Sequence, residues 1–293
     1  MDKRCCNITE NKTWIEAQRS RFDNDKIVKH YKHLFYIDEQ MLISLVNFEF
    51  DIDAEFIQFI EKMICKYGAV KFEYLNVNDE AYQKLKMQFE MLSDKYIFTN
   101  QDIWAAPGLK VPTDSGLEEY IKGCDKNIRR NYARAMKGRE ESKLVIANSE
   151  NVLECWNDAL AIDHNSWKRD GKSDMKTLNR EDLQYIFLLL KNIELCSLVV
   201  LYEESEPMAY SLMIRNEIGM KWYAVKWGCN KRGRENYSGV VCFFQHLEWL
   251  LKMQKRENVS NIVDIDFWGR RQRIYDSLAN YYTDRAHVII RRR

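Results

Sequence analysis

Between Cys196 and Trp227 the chain runs through three extended apolar segments, Cys196 to Glu203, Pro207 to Arg215 and Met220 to Trp227, separated only by Glu204-Ser205-Glu206 and Asn216-Glu217-Ile218-Gly219. Links this short leave no length for a crossover helix, so the three segments must pair as two consecutive antiparallel hairpins. Any fold of this chain has to contain that meander and bury it. The flanks read with helical period. Ahead of it, Val145 and Ile146 sit in a short strand, and Asn151 is placed to cap a helix with Val152, Cys155, Trp156, Ala159, Ile162 and Trp167 along one face. A second helix from about Arg180 to Ile193 carries Leu183, Ile186, Phe187 and Leu190. Behind the meander come a polar loop from Gly228 to Ser238, an amphipathic helix to about Arg256, the strand Ile262 to Phe267, a short helical stretch and a strand from Ala286 to Arg291. The order is β-α-α-β-β-β-α-β-α-β.

The first part of the chain gives strands near His33 to Ile37 and Leu42 to Phe50, then a helix with Phe56, Ile57, Ile60 and Ile64 between a capping Asp53 and a terminating Gly68. Ala69 to Leu75 alternates as a strand, a helix runs through Leu85, Phe89 and Leu92, and Tyr96 to Phe98 is a further strand. This β-β-α-β-α-β order matches the tail of the second part and implies a structural duplication. The breaker cluster from Ala106-Pro107-Gly108 to Ser115-Gly116 divides the halves, 1–107 and 117–293. With only 3 Pro and 11 Gly in 293 residues there is no flexible linker, so the halves should pack together.

Lys and Arg total 45 against 44 Asp and Glu, and this near-zero balance removes the global electrostatic argument for DNA or a membrane surface as partner. A polyanion would have to use a local patch. One stands out between Lys122 and Lys143, read as a helix with Lys122, Lys126, Arg129, Arg130, Arg134, Lys137, Arg139 and Lys143 outward and Ile128, Tyr132 and Ala135 inward. The 8 cysteines form no Cys-x-x-Cys pair and no histidine stands to complete a zinc site with them, so no metal site is expected and buried free thiols are. No apolar leader and no run of 18 apolar residues occurs, which places the expected protein, without a membrane span, in the cytoplasm.

Five stretches, in order, resemble the GNAT acyltransferase superfamily, and within it the CelD-like and Fem-like branch with two GNAT-like halves. They are Leu117 to Ile121 with Asn127 to Ala135, Trp167 with Gly171, the hairpin Glu206-Pro207-Met208-Ala209, Ser238-Gly239, and Asp266 to Tyr275. The resemblance implies a mixed α/β tandem GNAT-like fold, a central mixed sheet flanked by helices, whose second half transfers an acyl group from coenzyme A or an acyl carrier protein to an amine or hydroxyl of a small-molecule acceptor. No permanently bound cofactor is implied. A Fem-type aminoacyl-tRNA-dependent transferase and a non-catalytic GNAT-like binding module are the alternatives. The chain departs from the branch at Tyr275-Asp276, where Tyr-Lys is usual, with Arg270, Arg271 and Arg273 nearby as substitutes, and at Glu206 and Glu235, which replace small residues.

The residues then take roles. A phosphate-bearing donor needs N–H groups and positive charge ahead of a helix, which Lys231, Arg232, Gly233, Ser238 and Gly239 can supply, although Ser238 can equally be a plain cap. Asp264 and Asp266 share one face of an otherwise apolar strand, where a carboxylate must be paired or functional; Asp266 is the candidate base, with an ion pair to Arg270 or Arg271 as the other reading. His164 and Tyr275 are further acid–base candidates. Trp167, Tyr223, Trp227, Trp268 and Arg270 are the expected substrate contacts, Trp227 and Trp268 because an indole at a strand end beside glycine offers an apolar face and one donor.

Overall fold

The computed structural model describes residues 36–38, 41–44, 52–137, 142–166, 196–215, 221–258, 260–267 and 271–293. Strands β1 (Tyr36–Asp38), β2 (Met41–Ser44), β3 (Ala69–Asn76) and β4 (Tyr96–Pro112) belong to the first part, with helices α1 (Ala54–Tyr67) and α2 (Glu80–Met91). Asp53 caps α1 by accepting from the N–H of Phe56 at 2.8 Å, and Gly68, at φ +81°, ends it as the cap signal requires. Next come α3 (Gly116–Gly123), α4 (Lys126–Met136), β5 (Ser142–Ile146), α5 (Val152–His164), β6 (Cys196–Glu203), β7 (Glu206–Arg215) and β8 (Lys221–Cys229). The chain closes with α6 (Lys231–Glu235), α7 (Ser238–Glu257), β9 (Ile262–Asp266), α8 (Arg273–Leu278) and β10 (Tyr281–Arg292).

The expected architecture, a central mixed sheet flanked by helices, is what forms. All ten described strands join one sheet in the order β1-β2-β3-β10-β4-β9-β8-β7-β6-β5. Only β2/β3 and β8/β9 are parallel. Helices α1 and α2 cover one face of β3, β10 and β4 through Phe56, Ile60, Phe72, Phe89 and Val288. In the second part α5 packs on one face of β6 to β8, and α7, backed by α3 and α4, packs on the other.

Three sequence expectations are corrected. Pro107 and Gly108 do not break the chain; they lie inside the 17-residue strand β4. Pro107 is tolerated because it stands just past the last β4/β9 pair, Gly108–Asp266, where its carbonyl accepts from the N–H of Phe267 at 3.1 Å and the bond its missing N–H cannot return lies at the ladder's end. Gly108 is required by close approach, since a Cβ there would lie 2.3 Å from the ring of Tyr281. Second, the basic helix is two helices. Cys124 and Asp125 separate α3 from α4, Asp125 caps α4 through the N–H of Asn127 at 2.8 Å, and Lys143 belongs to β5. Third, the last strand begins at Tyr281, five residues ahead of the expected Ala286, and inserts between β3 and β4 of the single sheet. The helix expected over Arg180 to Ile193 lies outside the described residues.

The sheet is pinned to α7 by a histidine. His246 is fully buried, its Nε2 2.8 Å from Ser197 Oγ on β6 and its Nδ1 2.9 Å from Ser211 Oγ on β7. Burial lowers its pKa from 6.5 to about 3, so it is neutral in the folded protein while an unfolded chain protonates it below pH 6.5. The unfolded state therefore binds the extra proton between those two values, and this contribution to stability, complete above pH 6.5, is lost as pH falls toward 3 at up to about 1.4 kcal/mol per pH unit. Urea unfolding of wild type and His246→Gln across this range should show a flatter pH profile for the variant; parallel profiles would assign the acid sensitivity elsewhere.

Candidate functional site

Strands β8 and β9 pair over only three positions, Lys221–Asp264, Trp222–Ile265 and Tyr223–Asp266. Beyond Tyr223, β8 continues against β7 alone. Two local features drive them apart. Between Leu212/Lys226 and Met213/Ala224 the β7/β8 register shifts, leaving Val225 as an extra residue that bends β8, as a bulge does. At the same level Phe267 is held by the carbonyl of Pro107 and stays with β4. A cleft of about 610 Å³ opens along the released part of β8, lined by Trp227, Cys229, Arg234, Tyr237, Gly239, Gln272 and Tyr275 among others.

One wall is an aromatic stack. The Tyr275 ring lies 4.8 Å from Phe267 at 17° and 6.0 Å from Trp227 at 25°, and Trp227 Nε1 donates to the Tyr275 hydroxyl at 3.2 Å. Burial raises the Tyr275 pKa, partly opposed by that N–H. Tyr275 is thus a protonated hydroxyl whose oxygen already accepts one bond. The opposite wall is the start of α7, entered through Tyr237 at φ +58°, with Gly239 facing Cys229: a Cβ on Gly239 would meet the Cys229 thiol at 3.4 Å.

This opening of a central sheet at a parallel strand pair, beside a long helix's N-terminus, decides the comparison. The chain has the GNAT fold. It matches a conserved protein of unknown function from Bacteroides thetaiotaomicron over 100% of both chains (TM-score 0.59, 11% identity). It also matches L-PGS from Bacillus licheniformis over 88% of this chain and 79% of that one (TM-score 0.55, 14% identity), and FemX over 87% and 82% (TM-score 0.55, 11% identity). No protein-family profile and no curated protein sequence matches it.

Within this GNAT fold the expected site residues separate. Trp227, Tyr275 and Gly239 come together in the cleft. The other expected donor contacts have different partners. Arg232 is tied to Glu204 and Glu206 of the β6/β7 hairpin at 2.6 and 2.7 Å. Gly233 lets α6 approach β7, since a Cβ there would lie 2.6 Å from the carbonyl of Met208. Ser238 is buried and donates to Glu203 at 2.6 Å; it is not the helix cap, a position Tyr237 takes. Lys231 is exposed and outside the cleft lining. Trp167, Trp268 and Arg270 lie outside the described residues.

Asp266 is 1% exposed and 2.6 Å from Arg285, itself 2% exposed. Its arginine is therefore on β10, not the Arg271 that sequence proximity suggested; Arg271 pairs with Asp276 at 3.0 Å. Asp276 thus occupies the usual lysine position with a carboxylate that holds a neighbouring cation. Tyr223, fully buried, lies opposite Asp266 in the sheet and not in the cleft lining. His164 is the last residue of α5, partly buried and also outside the lining.

Arg234, in the basic stretch read as the donor loop, lines the cleft, whereas the sequence reading missed Tyr237 beside it and a fully buried pair in which the Tyr210 hydroxyl donates to Asp163. The Tyr210 pKa is raised well above its ordinary value by burial first, then by Asp163, with Tyr275 and Cys229 close enough to add to the shift. The signal was present: Asp163 follows Trp156 and Ala159 on the buried stripe of α5, a place where a carboxylate demands explanation.

The Asp266–Arg285 pair gives a test. Arg285→Met alone should cost about 3–5 kcal/mol by stranding the carboxylate, whereas Asp266→Leu combined with Arg285→Met should recover most of that loss. Urea midpoints of the three proteins check it.

Proposed function

We propose that the chain is an acyltransferase that moves an acyl group from a thioester donor, coenzyme A or an acyl carrier, to an amine or hydroxyl of a small acceptor, within the cleft along the released part of β8. The observation that carries this reading is the cleft's composition: an opening along released strand backbone, walled by Trp227 and Tyr275 with Phe267 stacked behind them, and with the Tyr275 hydroxyl held in place by the Trp227 N–H. An apolar wall suits an acyl chain or a thioester arm.

On this reading the acceptor nitrogen or oxygen attacks the thioester carbonyl carbon, and a backbone N–H of β8 meets the developing oxyanion. The carbon–sulfur bond then breaks, Tyr275 gives its proton to the leaving thiolate, and the proton released by the acceptor restores the phenol. The products are the amide or ester and a free thiol. Tyr275 suits the donor role because Trp227 fixes its oxygen and burial keeps it protonated. Asp266, bound to Arg285 outside the cleft lining, suits a positioning role in holding β9 in place better than that of a base.

A second reading, an aminoacyl-ester donor on tRNA, uses the same cleft and finds support in the exposed basic face of α4. A non-catalytic binding module would bind thioesters without releasing thiol. Tyr275→Phe should lower thiol release from an acyl-pantetheine thioester in the presence of an amine panel by about 10²-fold, the scale of general acid catalysis, with an unchanged melting temperature. Unchanged turnover would remove Tyr275 from the chemistry, and no thiol release by the wild type would favour the binding module.

A further inference from the structure

We propose that the outer face of α4 docks an acidic carrier protein, which delivers the acyl group on a thioester arm into the cleft along β8. This rests on the transferase reading above and names its donor.

Lys126, Arg130, Arg134 and Lys137 follow one another at helical spacing and are all exposed, while Ile128, Tyr132 and Ala135 occupy the opposite side. That inner side is fixed on α7: the Tyr132 ring lies 4.9 Å from Phe244, and Ala135 packs with Val241 and Cys242. The outer stripe therefore cannot turn inward. On other helices, three lysines are matched by acids one turn away, Lys84 with Glu80, Lys86 with Glu90 and Lys252 with Glu248. On α4 the neighbours one turn apart are cations, Lys126 with Arg130 and Arg130 with Arg134, an arrangement that weakens a helix. None of these four is in an ion pair among the described residues. A helix that keeps repelling charges in a chain with net charge +1 is arranged for an anionic partner.

The stripe points that partner at the cleft. Ala135, at the end of α4, belongs to the packed cluster that Tyr237 and Cys229 lean against, and both of those line the cleft. The mouth itself offers a nucleotide handle little: Arg232 is tied to Glu204 and Glu206, which leaves Arg234 as the arginine lining it. A donor held by α4 needs no such handle.

The size of the patch favours a protein over RNA. Eleven helical residues span about 16 Å. A phosphodiester backbone calls for basic surface that continues along its path, whereas one acidic helix matches a stripe of this length.

The test uses the full chain and three probes: a fluorescently labelled bacterial acyl carrier protein loaded with an octanoyl group, unacylated bulk tRNA, and octanoyl-pantetheine. Anisotropy should show carrier binding that weakens with salt, and Arg130→Glu with Arg134→Glu should weaken it by about tenfold or more. Arg130→Gln with Arg134→Gln should give a smaller loss, and melting temperatures confirm that both variants fold. Carrier binding that is absent, or unaffected by charge reversal, overturns the proposal; so does reversal-sensitive binding of tRNA without binding of the carrier. Thiol release from octanoyl-pantetheine reads the cleft separately: its absence in wild type, with carrier docking intact, would defeat the transferase reading and leave the docking surface standing.

Discussion

Arg285 reaches from the inserted strand β10 to the Asp266 carboxylate at the tip of β9 and to the backbone carbonyl of Tyr74 on β3. One guanidinium thus ties together three strands from both ends of the chain. Tyr74 stands at φ +60°, a strained value for a bulky residue, and Arg285 bonds that residue's carbonyl. With both charges out of water, neither can be removed alone without stranding the other. The same seam carries a second set of contacts: Tyr281 lies over Gly108 and donates to Asp264 at 2.6 Å, and Asn280 exchanges two bonds with the backbone of Lys110, 170 residues away.

The cleft follows from this seam. Because β9 is held at its end by Arg285 and flanked by β4, it cannot follow β8 when the bulge at Val225 bends that strand away. The space between them is then filled from the side by Phe267, Tyr275 and Trp227, whose stacked rings build a wall without closing the gap. A paired charge at the centre of the sheet and an apolar wall beside it are two consequences of one strand insertion.

The distribution of cations is the other organising feature. Two of them near the cleft are neutralised by partners close in space, Arg232 by Glu204 and Glu206 and Arg271 by Asp276. The cations of α4 are left outward, one helix removed from the cleft. Positive charge therefore sits both in the cleft lining, on Lys226 and Arg234, and along the outer stripe of α4.

The amino-acid sequence by itself determined the elements. The hairpins from Cys196 to Cys229, the capped helix α1 and the amphipathic α7 follow from period, caps and turn residues, all local properties. It also marked Trp227, Gly239 and Tyr275, since each carries its chemistry in its residue type and in its place at an element's end. What it could not determine was which strand lies beside which. Pro107 and Gly108 read as a break because the acceptable place for a proline within a sheet depends on where the neighbouring ladder stops, a fact held by Phe267 far along the chain. Asp266 and Arg271 read as partners because they are neighbours in sequence, whereas the insertion of β10 places Arg285 nearer. Arg232 and Ser238 read as donor contacts, and the β6/β7 hairpin brings Glu203, Glu204 and Glu206 to them as partners the local sequence does not show. Each of these was decided by tertiary structure, because the energy of a buried or paired charge belongs to the pair, and the partner is chosen by strand order.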